Sequence, residues 1–138
     1  MTFYKPKEPT QAIITANFGE YKSVTIIGHI PKETETFAVN LINGNTGNIH
    51  LQITVRFKEK IMARNTCKNG SWGQEEKDTP ILPFKPGDNV MMEITNGEEA
   101  IEVYCNGNKV FSYEHRLPFK EIDVITLNEN CMFKCIQF

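Results

Sequence analysis

Arg56, Asn65, Trp72 and Glu75 bring a guanidinium, an amide, an indole and a carboxylate into one short stretch of the chain. Together these groups have the chemistry to hold a saccharide. A pyranose has one apolar C–H face and a rim of hydroxyls, so an aromatic ring can cover the face while polar groups bond the rim. Trp72 is the single tryptophan, and its neighbours Ser71, Gly73 and Gln74 are small or polar, which places it at the surface rather than in a core. Arg56 carries a fixed fork of donors that can bridge adjacent hydroxyls, and Glu75 is the carboxylate that would hold that fork still. The plainer alternative for this pair is a surface ion pair of little worth. Asn65 can offer a hydroxyl one donor and one acceptor, or cap a turn.

Positioning such groups requires a strand with one dry and one wet face, and residues 49–57 read as one. Ile49, Leu51, Ile53, Val55 and Phe57 alternate with His50, Gln52, Thr54 and Arg56. Five apolar groups should enter a core and leave a polar row outside. Similar strands are expected over 23–30, 37–42, 61–65, 89–94, 101–105, 109–111, 122–127 and 131–138, with a short one through Trp72 and Glu75. Asn69-Gly70 and Asn106-Gly107 supply hairpin turns, because Asn-Gly adopts positive φ cheaply. Residues 1–11, with Pro6 and Pro9, read as an extended edge or loose arm. No segment has a helical period. The expected fold is all-β, a two-sheet antiparallel β-sandwich formed by residues 1–138 as one domain.

The bulk properties narrow the partners. The net charge is −2, with Lys and Arg scattered among Asp and Glu, so no basic stripe invites nucleic acid. Cys67, Cys105, Cys131 and Cys135 form no CxxC pair and have no histidine at zinc-ligand spacing, which argues for reduced thiols and no metal. No apolar run is long enough to span a bilayer, and the N-terminus lacks a signal-peptide core. A glycosidase would need two carboxylates facing each other across the scissile bond, whereas Glu75 and Glu76 are adjacent on a strand and should point apart. The chain therefore reads as non-catalytic, without cofactor.

In order and spacing, Arg56, the ARN at 63–65, the WGQEE at 72–76, the GDN at 87–89 and the FSYEHRLP at 111–118 resemble a galectin carbohydrate-recognition domain over nearly the whole chain. The resemblance implies a jelly roll of the galectin or concanavalin A-like kind, binding β-galactosides on one open sheet face. The family pattern H-x-N-x-R, V-x-N and W-x-x-E-x-R falls on Gln52, Thr54 and Arg56, on Ala63 and Asn65, and on Trp72, Glu75 and Lys77. Arg56, Asn65, Trp72 and Glu75 match, while Gln52, Thr54 and Lys77 depart. Gln52 can donate a hydrogen bond like the family's histidine, but on a longer and freer arm that loses about 1 kcal/mol of rotamer entropy on fixing. Thr54 is shorter than asparagine, and Lys77 offers a point charge in place of a fork. His50 sits too early to replace the missing histidine and is expected to flank the site or be solvated.

The resemblance thus implies galactoside binding that is weak or retuned. The alternative is a domain that has lost its sugar and serves as a protein-interaction or structural module. The resemblance also implies synthesis in the cytosol with unconventional export, and bivalency through a homodimer or a tandem partner domain. The sequon Asn69-Gly70-Ser71 abuts Trp72 and is expected to stay unmodified along that route.

Overall fold

The period-two pattern becomes twelve strands and one 3-10 turn at 119–121 among the described residues. The structure, a computed structural model, describes residues 3–4, 12–15, 22–79, 81–127 and 132–137. In chain order the strands begin with β1 (Phe3–Tyr4), β2 (Ala12–Thr15), β3 (Lys22–His29), β4 (Thr36–Ile42), β5 (Ile49–Arg56) and β6 (Ile61–Lys68). They continue with β7 (Ser71–Trp72), β8 (Asn89–Asn96), β9 (Ala100–Cys105), β10 (Asn108–Glu114), β11 (Val124–Leu127) and β12 (Met132–Gln137). Apart from β1, the expected arm at 1–11 lies outside the described residues, as do Cys131 and Phe138.

Two six-stranded antiparallel sheets stack face to face, which is the expected sandwich. One runs β2-β11-β4-β5-β6-β7 and the other β1-β12-β3-β8-β9-β10. Phe37, Val39 and Leu41 of β4 and Leu51, Ile53 and Val55 of β5 are buried in one core with Val24, Ile26, Met92, Ile94, Ile101 and Val103 of the facing sheet. Each strand's other face is left outside, so Gln52, Thr54 and Arg56 share an open surface. Register extends that surface sideways: Thr126 of β11, Asn40 of β4, Gln52 of β5 and Asn65 of β6 lie in one row. The Asn-Gly turns form as expected, with φ of 52° and 81° at Asn69 and Gly70 and 50° and 86° at Asn106 and Gly107.

The alternation fails at the start of β5. The pairing with β6 shifts between Ile49 and Gln52, and this bulge turns His50 inward beside Leu51, leaving it 4% exposed while Ile49 is only half-buried. His50 therefore neither flanks the open face nor meets solvent. Burial pushes its imidazole below the ordinary value, although Glu121 and Asp123 act the other way, so it is neutral at pH 7. Phe57, just beyond the strand, packs partly buried against Phe37 and Phe84.

Strand β6 is fastened from within. The Thr66 hydroxyl donates to the His50 carbonyl at 2.8 Å, which leaves the Tyr113 hydroxyl of β10 to donate to Thr66 and join the two sheets. Arg64 is also buried, its guanidinium 4.5 Å from the centre of the Phe111 ring and bonded to the Met62 and Asp78 carbonyls and the Asp78 carboxylate. These inward anchors hold the strand whose outer face carries Asn65. Among the described residues no helix is long and apolar enough to cross a membrane.

Candidate functional site

On the outer face of the sheet, over β5, β6 and β7, lies a groove of about 250 Å³. Gln52, Thr54, Arg56, Asn65, Trp72 and Glu75 line it, with Ala63 and Arg64. Six of the seven residues singled out from the sequence are thus brought together. Lys77 is exposed and lies beyond the lining.

Trp72 reaches the groove because the tight Asn69-Gly70 turn folds β7 straight back on β6, pairing Trp72 with Cys67. It is 49% exposed, a large apolar surface held in water on a two-residue edge strand. Further along the chain, Glu75 accepts two hydrogen bonds from Arg56, Nη1 to Oε1 at 2.9 Å and Nη2 to Oε2 at 3.2 Å. These bonds hold the Glu75 carboxyl below its ordinary value and raise the Arg56 guanidinium, so both stay charged at neutral pH. Each side chain is 31% exposed, so water screens the pair and its contribution to folding is small. What the pair supplies is direction, since a bidentate fork cannot rotate while both prongs are held. Glu76, by contrast, joins Arg116, so the adjacent carboxylates do point apart.

Gln52 differs from the expectation of a free arm. Its Nε2 donates to Asn40 Oδ1 at 2.9 Å and its Oε1 accepts from the Thr54 hydroxyl at 3.3 Å. Asn40 Nδ2 in turn donates to Thr126 Oγ1 at 3.0 Å. The amide is immobilised before any ligand arrives. Asn65 is also more committed than its sequence suggested. Its Oδ1 accepts from the Thr66 N–H at 2.8 Å and from Arg116 Nη1 at 3.0 Å, and its Nδ2 donates to the Gly73 carbonyl at 2.8 Å. Both lone pairs of the oxygen are used within the chain, which leaves the second Nδ2 proton to face a ligand.

Arg116 is the residue whose part was missed. It follows β10, on the opposite sheet, and reaches across to the segment bearing Trp72 and Glu75. Besides Asn65, it donates through Nη2 to the Gln74 carbonyl and the Glu76 carboxylate, both at 2.8 Å, with its guanidinium 5.0 Å from the centre of the Tyr113 ring. Its signal was the FSYEHRLP run, which spacing alone gave no task. Gly73 belongs to the same clamp, because a Cβ there would stand 2.9 Å from Arg116 Nη1. Arg116→Ala should raise hydrogen exchange at the Gly73 and Glu76 amides, now bonded to the Thr66 and Arg64 carbonyls, by roughly tenfold, the loss of about 1.4 kcal/mol of local protection. Gly73→Ala should move the same amides in the same direction by displacing the guanidinium. Exchange mapped by mass spectrometry checks both; unchanged protection would show that the segment holds itself.

Cys67 and Cys105 are free thiols. Burial pushes Cys105 up to about 12, so it behaves as a small apolar group, whereas Cys67 is half-buried beside Trp72. No group of three His, Cys, Asp or Glu among the described residues is placed to hold a metal.

Stacked antiparallel sheets with a groove of aromatic, guanidinium and carboxylate groups on one open face define a jelly-roll sandwich of the lectin type. Similarity to known proteins agrees with this. Residues 9–138 match the galactoside-binding lectin family, and the chain belongs to that family, the galectins, whose members are non-enzymatic lectins. It is 30% identical to galectin-4 of Homo sapiens over 135 residues, which are 97% of this chain and 42% of that protein. It is 36% identical to a 32 kDa beta-galactoside-binding lectin of Caenorhabditis elegans over 116 residues, 84% of this chain and 41% of that one. The chain thus spans less than half the length of these relatives. Among solved structures, galectin LEC-6 of Caenorhabditis elegans superposes with a TM-score of 0.86 at 18% identity, covering 98% of this chain and 94% of that one. A toad ovary galectin in complex with thio-digalactose gives 0.82 at 26% identity, covering 92% and 96%.

Proposed function

We propose that this domain binds β-galactoside-type glycans in the groove between Arg56 and Trp72, with a selectivity altered from that of its relatives. The observation that carries the reading is the bidentate Arg56–Glu75 pair standing beside a half-exposed indole in one groove. In this reading Trp72 covers the C–H face of galactose, left open because the axial O4 points the other way. Arg56 donates to O4 and the ring oxygen, Glu75 accepts from the second sugar, and Asn65 gives its remaining N–H to O6.

The retuning lies at Gln52, Thr54 and Lys77. Thr54 has its proton directed to Gln52, so toward a ligand it acts as an acceptor. Lys77, exposed and outside the lining, adds long-range positive charge only. Losing two polar contacts at about 0.5–1.5 kcal/mol each, about 1–3 kcal/mol in all, implies an affinity roughly fivefold to 150-fold below that of a site with the full family pattern. Gln52→His should therefore strengthen lactose binding by roughly three- to tenfold, read by calorimetry. A further fall would mean that the glutamine suits the groove's own ligand better.

The alternative is a domain that has lost its sugar and binds protein. Lactosyl-agarose separates the two: the proposed function expects retention and elution by free lactose, and flow-through would support the alternative. We further place the domain in the cytosol with unconventional export, supported by its free Cys67 and Cys105. Cross-linking of glycoconjugates would need a second copy or a tandem partner domain.

A further inference from the structure

The row Thr126, Asn40, Gln52 and Thr54 is bonded in one direction. The Thr54 hydroxyl donates along β5 to Gln52 Oε1, and from there the bonds run toward β11, Gln52 Nε2 to Asn40 Oδ1 and Asn40 Nδ2 to Thr126 Oγ1. Register makes this possible, because Thr126, Asn40 and Gln52 stand opposite one another on three neighbouring strands with their side chains on the same face. Thr126 is 8% exposed, so the far end of the row is held in a fixed place.

An amide has two ends of similar shape and opposite polarity. A glutamine facing a groove alone can present either end, and rotates about three side-chain bonds besides. Here one N–H of Gln52 and one lone pair of its oxygen are already engaged. What faces the groove is therefore the remaining N–H and the remaining oxygen lone pair of an amide held at both ends.

We propose that Asn40 is a positioning residue for saccharide selectivity: it holds the Gln52 amide in place against the sugar hydroxyl that distinguishes galactose from glucose. This rests on the proposed galactoside-binding function. It adds a residue that need not touch the sugar and that acts through Gln52. Because the amide is set in advance, little of its rotational entropy is lost on binding, and discrimination survives the replacement of a ring by a flexible chain.

The test uses Asn40→Leu, which removes the acceptor, and Asn40→Asp, which keeps an acceptor toward Gln52. In the ligand-free protein, side-chain ¹⁵N relaxation should find the Gln52 amide rigid in the wild type and in Asn40→Asp, and mobile in Asn40→Leu. Calorimetry with lactose and cellobiose, which differ at C4 of the non-reducing ring, should show the wild-type preference for lactose falling roughly three- to tenfold in Asn40→Leu, in line with loss of one positioned hydrogen bond. Asn40→Asp should restore it. In a Gln52→Ala background, Asn40→Leu should have no further effect.

An equally mobile Gln52 amide in wild type and Asn40→Leu would overturn the lock. An unchanged sugar preference in Asn40→Leu, with wild-type lactose binding intact, would overturn the selectivity role. A wild type that binds neither sugar while its Gln52 amide is rigid would instead remove the galactoside reading, and with it the role assigned to Asn40. Should Asn40→Leu fail to fold, Asn40→Ala carries the same comparison.

Discussion

Arg56→Ala should lower galactoside affinity on the order of a hundredfold while leaving the melting temperature within a few degrees of wild type. Two charge-assisted hydrogen bonds to the sugar would go, worth roughly 3 kcal/mol together. Glu75 would then face the ligand with neither of its bonds to Arg56. Folding should hardly notice, since both side chains are about a third exposed and screened. The same pair fixes the pH dependence. The Glu75 carboxyl is held below its ordinary value, so its contribution is fully present above the unfolded-state value and lost as pH falls through the lower folded one. Lactose affinity, measured by calorimetry from pH 8 downward, should stay level to about pH 5 and fall only below the ordinary carboxylate range near 4. A decline centred on pH 6 to 7 would assign the dependence to a histidine instead.

Trp72→Ala should abolish whatever saccharide signal a glycan array gives. An aromatic face on a sugar contributes about 1–2 kcal/mol, a factor of five to thirty, and a site already weakened at Gln52, Thr54 and Lys77 has little affinity left to lose. Trp72 is half-exposed on an edge strand, so its removal leaves the core intact. An array profile identical to wild type would rule out the stacking contact.

Much of the fold and of the groove's lining was legible in the chain because period-two alternation and Asn-Gly turns are local signals. Leu51, Ile53 and Val55 enter the core as the alternation requires, and the turn at Asn69 and Gly70 returns Trp72 to β6. His50 was misread because a bulge is a property of two paired strands, and β5 alone does not reveal it. Arg116 lay hidden for a related reason. Its partners Asn65, Gln74 and Glu76 are at least forty residues away in sequence and belong to the other sheet's edge. The bonding of Gln52 to Asn40 depends on the register of β4 against β5, which alternation leaves open by whole pairs of residues. Residue types disclosed the wet face and its chemistry. Which of those groups were already engaged with each other emerged only from the pairing of strands.

The proposed function seats a galactoside on the outer face of β5, β6 and β7, between the Arg56 guanidinium and the Trp72 indole. Its most direct measurement is a lactose titration followed by ¹H–¹⁵N correlation spectra. Saturable shifts confined to the Trp72 indole N–H, the Arg56 side chain and the amides of Gln52, Asn65 and Glu75 are the predicted result. Shifts that cluster on the opposite sheet, or a Trp72 indole unmoved while lactose binds elsewhere, would contradict it.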